Sequence, residues 1–257
     1  MPTPGDLRFR GTPGGPEPGH LKSRPVLSVV IPCFNEEQRL PRTIEQVEHY
    51  LDATQTLHEL ILVDDGSSDG TRRIMEEASR QHPRVRVEAL PQNRGKGRAL
   101  ATGVQAANGD EVLVTDADLS TPIEELEKLQ AALDKGAGIA IASRALRGSR
   151  VEVSQPIYRV LMGKGFNLIV QAVLLPGIWD TQCGFKLFRG DVAHRVFGRL
   201  ITDGFGYDPE VLYRARKEGV KIVEVPVVWR NSAPTKVSAV RSSLDMLKHV
   251  IRVRFTV

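Results

Sequence analysis

Between residues 26 and 143 the chain alternates short apolar runs with longer stretches in which apolar residues recur every three or four positions. The runs VLSVVI (26–31), ELILV (59–63), VRVEAL (85–90), EVLVTD (111–116) and GIAIAS (138–143) predict strands, ELILV and EVLVTD buried ones. The stretches between them predict helices. Leu40, Ile44, Val47 and Leu51 share one helical face, Ile74, Met75 and Ala78 lie on a second helix, and Leu100 and Val104 begin a third just past two glycines. A fourth carries Ile123, Leu126, Leu129 and Leu133. Thr121-Pro122-Ile123-Glu124 predicts its start as a capping box with proline at the first helical position. This alternation predicts an α/β fold, a mostly parallel twisted sheet with helices on both faces. Ligands then bind beyond the carboxyl ends of the strands. The segments to inspect are therefore PCFNEE, DDGSSDG, DAD and SR.

The second half is less regular. QPIYRVLMGKGFNLIVQAVLL predicts a helix or helix pair, DTQCGFKLF a polar-to-apolar loop, and DPEVLYRARKEG a helix with proline in its first turn and glycine after its end. VKIVEVPVVW reads as an edge or irregular strand because of its proline. Val240, Leu244, Leu247, Ile251 and Phe255 recur at helical spacing among Arg241, Lys248, His249, Arg252 and Arg254, which predicts a basic amphipathic helix.

Composition narrows the classes. A chain of 257 residues with 41% apolar residues suits one large domain. Its net charge of +4 is too weak to argue for nucleic acid but allows an anionic substrate or a membrane surface. Two distant cysteines, Cys33 and Cys183, suggest neither a disulfide framework nor a zinc site. No window is apolar enough for a membrane span. The first 24 residues are dense in Pro and Gly and lack an apolar core segment, so they predict a disordered tail and not a signal peptide.

Asp116 and Asp118 stand at i and i+2, on one face of an extended segment and about 6.6 Å apart along the chain. Two carboxylates at a strand end suit one hard cation, Mg²⁺ or Mn²⁺, with diphosphate oxygens completing the shell. Taken alone, the pair equally suits a helix cap and a turn. Asp64 and Asp65, followed by Gly-Ser-Ser, add acceptors and donors that could read a base and a ribose.

VVIPCFNEE, ILVDDGSSDGT, NRGKGRALATG and VTDADLSTP, in that order, resemble the inverting glycosyltransferases of family 2, which have the GT-A fold. ASRALRGSR, DTQCGFKLF, GYDPEVL and VEVPVVW extend the resemblance to the dolichyl-phosphate (polyprenyl-phosphate) beta-glucosyltransferase branch, close to the dolichyl-phosphate mannose synthases. The resemblance implies a GT-A catalytic domain over 25–235, followed by a basic amphipathic, membrane-facing helix over 236–257. It implies that Pro32, Phe34, Asn35 and Glu36 line the nucleobase and ribose pocket, that Asp64 and Asp65 hold uracil and ribose, and that Lys96 sits near the diphosphate or sugar. Asp116 would touch ribose or sugar hydroxyls, with Ala117 beside it, and Asp118 would be the main metal ligand. Asp180, Gln182 and Lys186 could contact sugar hydroxyls. Asp208 and Glu210 fall where related enzymes that glycosylate alcohols place a base, although Asp208 could equally cap a helix or orient the sugar.

The implied reaction is metal-dependent transfer of glucose from UDP-glucose to a polyprenyl monophosphate. The alternatives are a GDP-mannose-dependent mannose synthase or another family 2 enzyme. A lipid monophosphate is already anionic near neutral pH, so it needs cations more than a strong base. Arg144, Arg150, Arg230 and Lys236 are the candidates for its phosphate; Arg147 reads as a surface residue. The lipid acceptor implies peripheral contact with the cytoplasmic face of a membrane, through 157–175 and the C-terminal helix. A non-catalytic nucleotide-sugar-binding protein and an aspartyl phosphohydrolase are weaker rivals. No G-x-G-x-x-G follows the first strand, which disfavours a dehydrogenase.

Overall fold

The computed structural model describes residues 25–152, 157–230 and 239–257, with side chains described except for 157–161 and 239–246. The predicted tail over 1–24 lies outside the described residues. The five predicted strands form as β1 (Leu27–Cys33), β2 (His58–Asp64), β3 (Val85–Ala89), β4 (Glu111–Val114) and β5 (Ile139–Ser143). The first four helices form as α1 (Leu40–Ala53), α2 (Thr71–Gln81), α3 (Lys96–Ala106) and α4 (Leu126–Asp134). Later come β6 (Arg150–Val151), α5 (Ile157–Val173), β7 (Lys186–Arg189), α6 (Gly190–Gly198), α7 (Tyr207–Lys217), β8 (Ile222–Pro226), β9 (Val228–Trp229) and α8 (Ala239–Thr256).

The main sheet runs β3-β2-β1-β4-β7-β5-β8, and β6 pairs with β9 in a second, parallel ribbon. Period-two alternation sends successive residues to opposite faces. Thus Val30 packs with Ile61, Val63 and helices α3 and α5–α8, whereas Val29 and Ile31 pack with α1, α2 and α4. Both faces are covered, which explains why β1, β2 and β5 read as continuous apolar runs. β8 ends at Pro226 on the sheet's outer edge, where a missing ladder donor costs least.

Two expectations need correction. DTQCGFKLF is not all loop: its end is β7, antiparallel between β4 and β5 in the middle of the sheet. The strand was hidden by Lys186, a residue rarely buried, here only 1% exposed because its ammonium meets Asp208. The capping box does not form either. Pro122 is extended, with ψ 146°, the first turn is a tight 3₁₀ turn over Ile123–Glu125, and no side chain caps it. The Thr121 hydroxyl instead lies 3.6 Å from Cys183 Sγ. The predicted helix or helix pair is one continuous helix over Ile157–Val173, α5, despite Gly163 and Gly165.

Helix α8 divides its apolar residues. Val250 and Val253 are buried against the core, while Ile251 is 50% and Phe255 86% exposed. Val240 and Leu244 of the predicted stripe lie outside the residues with described side chains. Neighbouring α5 likewise buries Phe166 and Val170 and exposes Leu168 and Ile169. No helix among the described residues is long and apolar enough to cross a membrane.

Candidate functional site

The parallel strands β1, β2 and β4 are in register, so their carboxyl ends deliver three loops to one edge of the sheet. Asn35, just after β1, adopts a left-handed φ of 57°, which an asparagine tolerates better than most residues. That turn aims its carboxamide at the loop after β2, where its Oδ1 accepts from Ser68 N at 2.8 Å, while Asn35 N donates to Ser67 Oγ at 3.0 Å. Glu36 N donates to Thr71 Oγ1 at 2.7 Å. Phe34 is exposed on the same loop, and Pro32 is half-buried near the end of β1. A flat apolar ring beside a polar, pre-tied turn is a surface on which a base can stack.

Asp64 and Asp65 are nearly inaccessible, at 2% and 3% exposure. Asp64 Oδ1 accepts from Ser67 N at 2.9 Å and shapes its own turn. Asp65 serves the next loop: its two oxygens accept from Arg94 N and Gly95 N at 2.8 Å each, and from Asn93 Nδ2 at 3.1 Å. Asp65, predicted to hold uracil and ribose with Asp64, uses both oxygens to clamp the segment that presents Lys96. Gly95 is required there. Its φ is 103°, and a Cβ would stand 2.7 Å from the Asp203 carbonyl oxygen. Asp203 in turn pairs with Arg94 at 2.9 Å and Arg98 at 2.7 Å.

Lys96, first residue of α3, forms an ion pair with Asp116 and lies 5.6 Å over the Tyr207 ring. Burial pushes the Asp116 carboxyl up, but Lys96, Lys186 and Arg144 more than offset this and hold it low. The same contact leaves Asp116 half-exposed but charge-matched without a metal. Asp118 differs. Burial and the neighbouring Asp116 push its carboxyl up; its Oδ1 accepts from Ser120 N at 3.0 Å, and its Oδ2 stands 3.8 Å from Arg39. A carboxylate crowded by a second one, with no close ammonium of its own, suits a cation. Among the described residues no group of three or more His, Cys, Asp or Glu side chains could hold a metal. A cation at Asp118 must therefore draw further ligands from water and substrate phosphates, as Mg²⁺ commonly does. Ala117 fixes the loop between the two acids, its carbonyl accepting from Thr43 Oγ1 at 2.6 Å. Leu119 follows with a left-handed φ of 44°, a costly turn of the kind held at functional sites.

Of the acceptor-side candidates, Arg144 directly follows β5, Arg150 begins β6 and Arg230 directly follows β9. Arg144 is engaged: Nε and Nη2 donate to Asp180 at 2.7 and 2.8 Å, its N–H adds 2.9 Å, and its guanidinium stacks 5.4 Å from the Trp229 ring centroid. This fork leaves Nη1 outside the Asp180 pair. Pairing β6 with β9 sets Arg150 beside Val228, two residues before Arg230. Arg230 N donates to Ser120 O at 2.7 Å and its side chain pairs with Glu152 at 2.7 Å, so β9 is tied to the Asp118 loop. Arg147 is exposed. Lys236 lies outside the described residues.

Asp208 is the clearest departure from a predicted catalytic role. It is buried and ion-paired with Lys186, and a carboxylate neutralised this way is not a free base. Lys186 is equally unavailable for sugar hydroxyls. Gln182 is half-buried beside Asp180, with its N–H 3.3 Å from Asp180 Oδ1. Cys183 is buried, and burial raises its thiol, so it packs and does not attack. Three residues that sequence reasoning passed over matter here: Arg39, Tyr207 and Gly184. A Cβ at Gly184 would lie 2.7 Å from the Asp116 carboxyl carbon, so the missing side chain is what admits that carboxylate. The signal for it was available in the glycine of DTQCGF.

The family described as Glycosyl transferase family 2 matches residues 28–197. The dolichyl-phosphate beta-glucosyltransferase of Dictyostelium discoideum is 34% identical over 241 residues, covering 89% of this chain and 74% of that protein. The protein of that name from Homo sapiens is 35% identical, with the same coverage of 89% and 74%. Among solved structures, glucosyl-3-phosphoglycerate synthase from Mycobacterium tuberculosis in complex with UDP superposes with a TM-score of 0.67 at 20% identity, covering 95% of this chain and 86% of that one. The same synthase with Mn²⁺ and UDP-glucose gives a TM-score of 0.67 at 20% identity, covering 92% and 80%. At that identity the likeness establishes the fold, which is GT-A.

Proposed function

We propose a reaction that proceeds from the family: this chain belongs to glycosyl transferase family 2 and is a glycosyltransferase, and it transfers glucose from UDP-glucose to a polyprenyl (dolichyl-type) monophosphate. One observation carries the reading. Two opposed charge sets share one sheet edge, Asp116 and Asp118 with Lys96 on one side and Arg144, Arg150 and Arg230 on the other. The first set suits a nucleoside-diphosphate donor, the second an anionic acceptor. Relatives named dolichyl-phosphate beta-glucosyltransferase supply the acceptor class, and the similar fold is solved with Mn²⁺ and UDP-glucose.

In this reading the uracil stacks on Phe34, against Pro32, Asn35 and Glu36, with Asp64 at the base of the pocket. Asp118 is the principal ligand for Mg²⁺ or Mn²⁺, and Asp116 keeps Lys96 oriented toward the diphosphate and sugar. The bound metal would neutralise charge on the leaving diphosphate. Gln182, near Asp180, faces sugar hydroxyls. The arginine set, extended by Lys236, holds the acceptor phosphate against the repulsion of the donor. A phosphate oxygen then bonds to the anomeric carbon from the face opposite the diphosphate. The anomeric carbon–diphosphate oxygen bond breaks, UDP takes the electron pair, and the configuration inverts to β. An ionised phosphate has no proton to lose in this step, which is why a buried, paired Asp208 is no obstacle.

The lipid acceptor requires contact with a bilayer. Leu168, Ile169, Ile251 and Phe255 are exposed on adjoining helices, and Lys164, Lys248 and Arg252 stand on the outward side among them. An apolar face rimmed by lysine and arginine suits an anionic membrane surface, here the cytoplasmic leaflet. The deciding assay supplies radiolabelled UDP-glucose or GDP-mannose with Mn²⁺ and a C55 polyprenyl phosphate. Labelled lipid from UDP-glucose is expected. Label from GDP-mannose instead would reassign the donor, and no labelled lipid from either would sink the acceptor.

A further inference from the structure

Arg39 immediately precedes α1 and is held by a two-point fork: Nε and Nη2 each donate to Glu36 at 2.7 Å. Glu36 is itself fastened to Thr71 through its backbone N–H, so the guanidinium is anchored on the base-side loop. Its remaining terminal nitrogen, Nη1, faces Asp118 Oδ2 at 3.8 Å. That separation is beyond a hydrogen bond, so Arg39 offers Asp118 charge without a bond. Because its other donors are fixed on Glu36, it cannot swing aside without breaking the fork. A divalent cation on Asp118 would sit about 2.0–2.1 Å from the ligating oxygen. It would then stand within a few ångströms of a guanidinium that stays positive at every accessible pH.

We propose that Arg39 is a built-in counter-charge to Asp118 that makes metal binding conditional on the donor. Without a diphosphate, the fixed positive charge opposes a cation at Asp118. With one, the phosphate oxygens lie between metal and guanidinium, so repulsion becomes joint attraction to the same anion. The metal and the nucleotide therefore bind as a unit, and the base-side loop, through Glu36, reports occupancy to the metal ligand. This rests on the reading of Asp118 as the metal ligand of a nucleotide-sugar site, and the test separates the two.

Mn²⁺ binding is measured by electron paramagnetic resonance on the full chain, with and without UDP, for wild type, Arg39→Gln, Arg39→Lys and Asp118→Asn, each checked by thermal melting. Wild type should bind Mn²⁺ alone weakly and at least about tenfold more tightly with UDP. Arg39→Gln should bind Mn²⁺ alone several-fold more tightly than wild type, and UDP should add less. Arg39→Lys, which keeps the charge but loses the fork that fixes it, should fall between wild type and Arg39→Gln without UDP. Unchanged or weaker Mn²⁺ binding in Arg39→Gln, with UDP-dependent tightening intact, overturns the role of Arg39 alone. Undiminished binding in Asp118→Asn, or no Mn²⁺ bound by wild type with UDP, overturns the metal reading and the proposal together.

Discussion

Asp116 reaches its place because position 184 has no side chain. A methyl there would press on the Asp116 carboxyl carbon and pull that carboxylate from Lys96. Displacements near 1 Å in a reacting site can cost about 100-fold in rate. Gly184→Ala should therefore lower transfer by that order, with UDP binding far less affected, as a comparison of turnover with nucleotide titration would reveal. His58, on the opposite edge of the sheet, follows a different logic. Its Nδ1 meets the Thr56 carbonyl at 2.7 Å and its Nε2 meets Glu48 at 3.1 Å. Burial lowers its pKa, but two acceptors favour a ring with two N–H donors, and the net shift is upward. A raised folded pKa gives stability that is full below the unfolded value of about 6.5 and fades as pH climbs through the folded value. Melting curves from pH 6 to 9 should slope downward more in wild type than in His58→Gln; equal slopes would refute the assignment.

At the scale of elements, β7 shows how one ion pair licenses a strand. Lys186 lies in the middle of the sheet only because α7 presents Asp208 to it. Removing one partner of a buried pair leaves the other charged and desolvated, typically a loss of about 3–5 kcal/mol. Lys186→Met should destabilise by that order in urea titrations, and Lys186→Met with Asp208→Asn should recover part of it. A catalytic base at Asp208 would predict instead that Asp208→Asn abolishes turnover while stability holds. Helix α8 shows the converse, an element anchored by two valines that still offers Ile251 and Phe255 to solvent.

For the whole molecule, these exposed side chains and the net charge of +4 act together. Each basic residue near an anionic surface contributes about 1 kcal/mol, screened beyond about 10 Å at 0.1 M salt. Sedimentation with phosphatidylglycerol vesicles should show binding that weakens with salt and drops at least about tenfold in Ile251→Glu/Phe255→Glu. UDP binding in that variant should be unchanged. Vesicle binding indifferent to both changes would place the lipid-facing surface elsewhere.

The sequence by itself determined the alternation of strands and helices, the two-faced burial of β1, β2 and β5, and the edge at which PCFNEE, DDGSSDG and DAD meet. Periodicity and loop position are local properties, and a parallel sheet leaves little choice about where its strand ends go. What the acids do there was decided only by tertiary structure. Asp64 and Asp65 are adjacent and alike in sequence, yet one shapes its own turn and the other clamps the loop of Lys96. Asp116 and Asp118 are two residues apart, yet one has an ammonium partner and the other faces a guanidinium held on Glu36. The role of a carboxylate depends on which cations and N–H groups lie within a few ångströms. Those neighbours, Lys96, Arg39 and Lys186, come from distant elements brought together only when the sheet closes.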